Sequence, residues 1–362
     1  MKKQDEIKYC GLPVIPERNF AIDMNHGRMA AIIMLEKKWV NGTKLKYAFF
    51  DDDSFFTPAT DSSGNEVKLL WKGSNEEKEV VRNAFKKWKN QGIGLEFEET
   101  ADRSDAVIRI GFAKGEGSWS YVGRDAWEIP KEERTMNFGW DILDDEDTVL
   151  HEIGHGMGFP HEHQNPHAGI VWDEEAVYAA LAAPPNSWSR EKTFHNIIRK
   201  ISPDEVQGSS WDHNSIMHYP FGPGLIVTPA EFANGLFPED GLSERDVSWV
   251  QKFYPKMDRR TFLELKPFHS EVIALDIGGQ VNLEFIPEET RTYTVSTFGN
   301  MDTVMVLSEE VNGEAVYMSG DDDSGEDRKS YIKEELIKDK KYIVNIRQFY
   351  KTTSGDTCVM LW

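Results

Sequence analysis

The chain has 362 residues, 39% of them hydrophobic and 12% aromatic, enough for two packed units and a short additional segment. A net charge of −21 disfavours nucleic acid and anionic membranes as partners, and no apolar run approaches a membrane span, the longest near the start being Met29 to Leu35. The two cysteines, Cys10 and Cys358, lie at opposite ends and exclude a disulfide framework.

Met1-Lys2-Lys3 reads like the start of an export signal, but Gln4-Asp5-Glu6 is polar where a hydrophobic region should begin. A signal removed upstream and another route of export both stay open. Residues 1 to 29 carry turn formers (Gly11, Pro13, Pro16, Gly27) without a sustained period and read as an extended arm. From residue 30 the text changes, and Lys44 to Phe50 alternates like a strand. Asp51 to Gly73 reads as loop. Ser74 then caps a helix whose first turn holds Glu76 and Glu77. Val80, Val81, Ala84, Phe85 and Trp88 fall at helical spacing on its buried face, a core stripe. Two strands are expected next, over Gly94 to Glu98 and Ala106 to Phe112. Gly117 to Gly123 reads as an edge strand, with Trp119 turned inward or the backbone free to pair with an extended peptide.

The stretch from His151 to His161 reads H-E-x-x-H-x-x-G-x-x-H. On a helix His151 and His155 project from one face, one turn apart, with Glu152 at the rim. Leu150, Ile153 and Met157 form the opposite, apolar stripe. Gly158 can take a positive φ and end the helix in a sharp turn, which returns His161 to the same point. Three neutral nitrogens leave zinc an open position for water, as in a catalytic site. Bound zinc brings its water to a pKa of about 7, and Glu152 is placed to take that water's proton and hand it to a leaving amine. His163 and His167 are read as supporting or surface residues, because three ligands complete the protein's share.

Asp173 to Ala183 is alanine-rich and helical, Pro184-Pro185-Asn186 ends it, and the text to Ser210 reads as irregular. Gly241 to Tyr254 is a helix capped by Ser243, with Asp246 at the capping-box position. Met257 to Lys266 reads as a linker. From Phe268 to Trp362 short alternating runs are separated by turn residues, clearest at Val281–Phe285, Arg291–Thr297, Thr303–Leu307, Tyr342–Arg347 and Thr357–Leu361, a β-sandwich pattern. Asp321, Asp322 and Asp323 either hold calcium through oxygen ligands or form a solvated turn.

The zinc motif, Phe159, Glu162 directly after His161, and S-x-M-H-Y at 215–219 together resemble the astacin family of metzincin metallopeptidases. The resemblance spans Ala30 to Tyr254 and implies an α+β metzincin catalytic domain. In that fold a twisted five-stranded sheet and helices form two subdomains with the zinc cleft between them. By resemblance His151, His155 and His161 are the zinc ligands, Tyr219 is a further ligand that swings off to stabilise the tetrahedral intermediate, and Met217 lies under the metal. Glu152 and Tyr219 are the catalytic residues so implied. Ser118 stands where the family often has cysteine, which suggests a microbial branch or a protein adapted to reducing conditions. The C-terminal segment resembles bacterial pre-peptidase C-terminal domains.

The organisation expected is a prosegment over 1–29, the catalytic domain over 30–258 and an all-β sandwich over 268–362. The expected activity is that of a secreted, monomeric, zinc-dependent endopeptidase acting on proteins or peptides, made as a latent zymogen. An idle peptidase fold used for binding or adhesion through the β-domain is the alternative, as is a cytoplasmic or unconventionally exported protein. For latency three readings stand open. Phe20-Ala21-Ile22-Asp23 resembles the F-x-G-D segment of astacin propeptides, although Ile22 replaces the glycine. Cys10-Gly11-Leu12-Pro13 resembles the C-G-x-P cysteine switch of matrix metallopeptidases. The third reading is an arm with neither role. Release would follow cleavage between Gly27 and Ala30, after which the new amino terminus would turn toward Glu162.

Overall fold

The computed structural model describes residues 7–15, 37–61, 63–201, 211–256, 262–276, 279–326, 329–349 and 354–362. Asp23 and the expected cleavage stretch lie outside the described residues. Strand β1 (Lys44–Phe49) is the hub of the first region. A surface hairpin follows, β2 (Phe56–Thr60) and β3 (Glu66–Leu70), where loop was expected. Its residues are half-buried or exposed, so no apolar alternation marks it; Phe55 and Trp71 tie it down by stacking.

Helix α1 (Asn75–Lys89) starts at the expected Ser74 cap, which Glu77 completes as a capping box, and buries Val81, Ala84, Phe85 and Trp88. Strands β4 (Glu96–Glu99), β5 (Ile108–Gly111), β6 (Trp119–Ser120) and β7 (Met136–Asn137) complete a five-stranded sheet in the order β4-β1-β5-β7-β6. Three of its four pairings are parallel; only β6 runs antiparallel, at the edge. Helix α2 (Glu146–Gly156) packs with α1 against this sheet, and Trp88 donates its indole N–H to the Leu150 carbonyl at 3.1 Å. Each fully buried side chain of this kind contributes about 1.5–3 kcal/mol by leaving water.

Below α2 lies a loop-rich part with strands β8 (Val171–Trp172) and β9 (Ile226–Thr228) and helix α3 (Glu174–Ala182). Arg190–Thr193 and the wider-wound turn Phe194–Ile198 are helical where irregular chain was expected. Ile7, Tyr9 and Cys10 of the arm belong to this second core, with Trp188, Ile197 and Phe221. The arm is therefore packed, not merely extended. Helix α4 (Glu244–Phe253) closes the region with its expected Ser243–Asp246 capping box.

The remaining strands are β10 (Leu263–Glu264), β11 (Ser270–Leu275), β12 (Gln280–Phe285), β13 (Arg291–Phe298), β14 (Thr303–Val311), β15 (Glu314–Asp321), β16 (Tyr331–Leu336), β17 (Tyr342–Gln348) and β18 (Gly355–Leu361). They form a five-stranded and a four-stranded sheet, in the orders β10-β12-β17-β14-β15 and β11-β18-β13-β16, around an apolar core of their own. Part of the expected linker joins this sandwich, because Leu263 and Glu264 pair with β12 and Leu265 is buried. The five strands read from sequence are all present. Strands β11, β15 and β16 are added, and their half-exposed faces weaken the alternation. Asp321 accepts from Ser324 N and Tyr331 N at 3.1 and 2.7 Å, a turn-closing role. Among the described residues, none of the three aspartates joins a cluster of metal-ligating groups. No described helix is long and apolar enough to cross a membrane.

Candidate metal centre and cleft

Asp145 caps α2 through Thr148 N, and Glu146 and Asp147 favour its positive end. The helix then carries His151, Glu152 and His155 into the cleft floor, and all three are buried. It stops at Gly158, whose φ of +101° is open to glycine and strained for other residues. At Gly154 a Cβ would lie 2.4 Å from the Met217 sulfur, so the missing atom lets the Met217 side chain pack closely against the helix. Asp246 fixes that turn, accepting from Ser215 Oγ at 2.6 Å and Ile216 N at 2.8 Å. Its capping role was legible in the sequence; this second role joins segments 30 residues apart and was not.

The three histidines converge. His155 Nε2 lies 3.0 Å from His151 Nε2 and 3.1 Å from His161 Nε2. Nδ1 of His151 faces the Ile216 carbonyl at 2.7 Å, and Nδ1 of His155 faces the Phe159 carbonyl at the same distance. A carbonyl can only accept, so each Nδ1 carries the proton and each Nε2 presents a lone pair. Burial drives His151 down to about 4 and depresses His155 and His161 too, so all three rings are neutral. Lone pairs crowded to such distances repel one another unless a cation sits among them. The donor set suits zinc, with the carbonyls holding the rings in the ligating tautomer.

Glu152 has no exposed surface, and Oε1 finds no hydrogen-bond partner among the described residues. Burial pushes its carboxyl up to about 8, with Cys10 pulling slightly the other way. Tyr219 hydrogen-bonds His161 Nε2 and donates to the Cys10 carbonyl at 2.6 Å. Cys10 Sγ is 3.5 Å from Glu152 Oε2, and its ligating atom and those of the three histidines all lie within 4.8 Å of one another. Burial first, and the Glu152 charge second, raise the Cys10 thiol well above its ordinary value. The arm is held along its length by polar contacts. Asn186 accepts from Tyr9 N at 3.0 Å and donates to the Ile7 carbonyl at 2.9 Å, Gly11 N donates to Ser118 O at 3.2 Å, and Leu12 N donates to Asn196 Oδ1 at 2.9 Å. Neither asparagine was singled out from sequence; Asn186 follows a Pro-Pro break, and nothing local marks Asn196.

His163 is buried with Nε2 on the Asn196 carbonyl at 2.9 Å and its ring stacked on His161, and His167 is exposed; neither belongs to the group of ligating atoms. Glu162 accepts from Asn165 Nδ2 and Asp212 N, each at 3.0 Å, and burial still lifts it to about 7.

Comparison with known proteins adds to this geometry. The family model for the astacin peptidases matches residues 65–222. The chain is similar to zinc metalloproteinase nas-26 of Caenorhabditis elegans, 30% identical over 155 residues, which are 41% of this chain and 34% of that protein. It is also similar to bone morphogenetic protein 1 of Xenopus laevis, 28% identical over 198 residues, 50% of this chain and 25% of the other. The chain thus spans about a third or a quarter of the length of these curated relatives. A solved structure of myroilysin is similar over 61% of this chain and 97% of its own, at 30% identity and a TM-score of 0.51.

Proposed function

The chain belongs to the astacin family, and from that premise we propose that it is a zinc-dependent endopeptidase, held latent in the form described, that cuts peptide bonds in proteins. The observation that carries this reading is the convergence of three imidazole Nε2 atoms, those of His151 and His161 at 3.0 and 3.1 Å from that of His155, with the buried Glu152 carboxyl beside them. His151, His155 and His161 would hold the ion. When bound, it supplies Lewis acidity and lowers the pKa of a water to about 7.

The chain's own residues do the rest. Glu152 takes a proton from the attacking water and returns it to the leaving amine, a role suited to a carboxyl that burial has made basic. The Tyr219 hydroxyl donates a hydrogen bond to the oxygen that gains charge at the attacked carbonyl. The free edge of β6 and the Ser118 carbonyl just before it, which here accepts from Gly11 N of the arm, receive an extended peptide backbone. Cys10 is the group that occupies this machinery, with its thiol near Glu152 and its carbonyl on Tyr219. Among the described residues, these contacts support the cysteine reading of latency.

The test uses full-length protein with Glu152→Gln and Cys10→Ser variants. Elemental analysis should find one zinc per chain in all three. Glu152→Gln should lose roughly 10²–10⁴-fold in casein hydrolysis after removal of the arm. Cys10→Ser should be active before any removal. Metal-free parent, or a Glu152→Gln protein hydrolysing at the parent rate, would refute the assignment.

A further inference from the structure

The arm is gripped by its main chain. Gly11 N donates to the Ser118 carbonyl beside β6, and the next N–H, that of Leu12, donates to Asn196 Oδ1 in the loop-rich part. On the other side of Cys10, Asn186 accepts from Tyr9 N and donates to the Ile7 carbonyl, as a neighbouring strand would. Between these contacts the Cys10 carbonyl accepts from the Tyr219 hydroxyl at 2.6 Å. That hydroxyl is the one assigned above to the attacked carbonyl. The arm therefore places a peptide carbonyl where a substrate would place its own, and the two asparagines hold the main chain on either side of it.

The asparagines are fixed independently of the arm. Asn196 is 1% exposed, and its Nδ2 donates to the Lys192 carbonyl at 3.0 Å, which leaves Oδ1 for the cleft. Its own carbonyl, in the wide turn Phe194–Ile198, accepts from His163 Nε2 at 2.9 Å. His163 stacks on Tyr219 with ring centres 4.7 Å apart, so the acceptor and the hydroxyl are held in one frame. Asn186 is half-buried in a turn closed by Ser187 N on the Ala183 carbonyl at 3.0 Å and Trp188 N on the Leu181 carbonyl at 2.8 Å. Once the arm departs, Asn196 Oδ1 and both polar atoms of Asn186 lose these partners, and a buried acceptor without a donor is costly. Space for side chains is generous by contrast. Beside Gly11 and Leu12, between Trp119 and Lys192, a cavity of about 380 Å³ stays open.

We infer that Asn186 and Asn196 are substrate-binding residues, which hold the main chain of an extended polypeptide on the two sides of the cleaved bond through the atoms that now hold the arm. The inference rests on the peptidase reading. Asn196 takes an N–H. Asn186 offers a donor and an acceptor, so it serves a backbone running in either direction. Recognition of this kind reads the peptide group and is indifferent to the side chain, but it excludes a residue that lacks the N–H.

The test uses protein freed of its arm by elastase in the Met29-Ala30-Ala31 stretch, then by gel filtration, with the elastase blocked by a serine-directed inhibitor. A fluorogenic peptide that the parent cleaves is remade with each main-chain N–H methylated in turn, and kcat/KM is measured for each. The parent should lose about tenfold for at least one position on each side of the cleaved bond. Asn196→Ala should abolish the penalty on one side and Asn186→Ala on the other, each with a raised KM and parent zinc content. Asn196→Asp keeps the acceptor and should keep the penalty. A structural asparagine would instead lower activity on all peptides alike and leave the penalties in place. That result, or a parent indifferent to methylation on either side, would overturn the inference. Should Asn196→Ala not fold, the parent scan and Asn186→Ala, in its surface turn, decide. If no peptide is hydrolysed, the peptidase reading fails. Binding of the same peptides, followed by fluorescence anisotropy, then decides the asparagines alone, and affinities unmoved by methylation or by either substitution reject them.

Discussion

Two buried polar clusters in this molecule are built on opposite principles. In the cleft, three imidazoles turn their Nε2 atoms toward one another, and Glu152 Oε1 finds no partner among the described residues. In the sandwich, Thr297, Thr303 and Ser330 are equally buried but complete each other. Thr297 Oγ1 lies 2.6 Å from Thr303 Oγ1, Ser330 N donates to Thr297 Oγ1 at 3.1 Å, and Ser330 Oγ donates to the Thr303 carbonyl at 2.7 Å. Hydroxyls donate and accept, so the second cluster satisfies itself. A set of neutral acceptors cannot, and something from outside must supply positive charge. Burial alone does not separate function from structure; the balance of donors and acceptors does.

The largest expected effect breaks the comparison on the cleft side. Stripping zinc with a chelator, or substituting His155→Ala, should destabilise the first region by about 4 kcal/mol if the ion is normally present at a thousand times its Kd. Calorimetry should show the cleft transition moving down and returning when zinc is restored to the parent. Coincident melting of stripped and loaded parent would show that the three lone pairs do not hold a cation.

A smaller effect sharpens the other side. Thr297→Val removes one hydroxyl from a closed network and leaves Ser330 N and Thr303 Oγ1 short of a partner, at about 1–3 kcal/mol. Denaturant unfolding should register that loss, while zinc content and casein hydrolysis by the trimmed protein stay at parent values. A matching fall in zinc occupancy would mean the two clusters are not independent.

The smallest effect sets the scale for a pair that water already serves. Arg82 Nε and Nη2 hold the Glu99 carboxylate at 2.6 and 2.7 Å and keep it below the usual glutamate range, with burial opposing. A depressed carboxyl contributes stability above its unfolded value, near 4.5, and loses it as pH falls through the folded value. The pair is partly exposed, so Arg82→Met should cost only roughly 0.2–1 kcal/mol at pH 7, less in salt, with the difference closing toward pH 3. A penalty unchanged from pH 7 to pH 3 would assign it to lost packing.

What the amino-acid text determined by itself is what local spacing controls. Two histidines four residues apart must share a helix face, Gly158 permits the turn beyond them, and the caps at Ser74 and Ser243 start their helices where the pattern says. Strands with one fully buried face, such as β13 and β17, announce themselves by β-branched and aromatic runs. The hairpin β2–β3 and the strands β11, β15 and β16 did not, because half-exposed residues leave alternation weak. Only the tertiary structure decided that the arm packs into the second core and that Cys10, 142 residues before Glu152, meets it in the cleft. It alone brought Asn186 and Asn196 to the arm, 177 and 184 residues from the positions they hold. Local order is dictated by repeat and sterics within a few residues. Contacts between distant segments depend on how whole faces pack, and no short stretch of sequence records that.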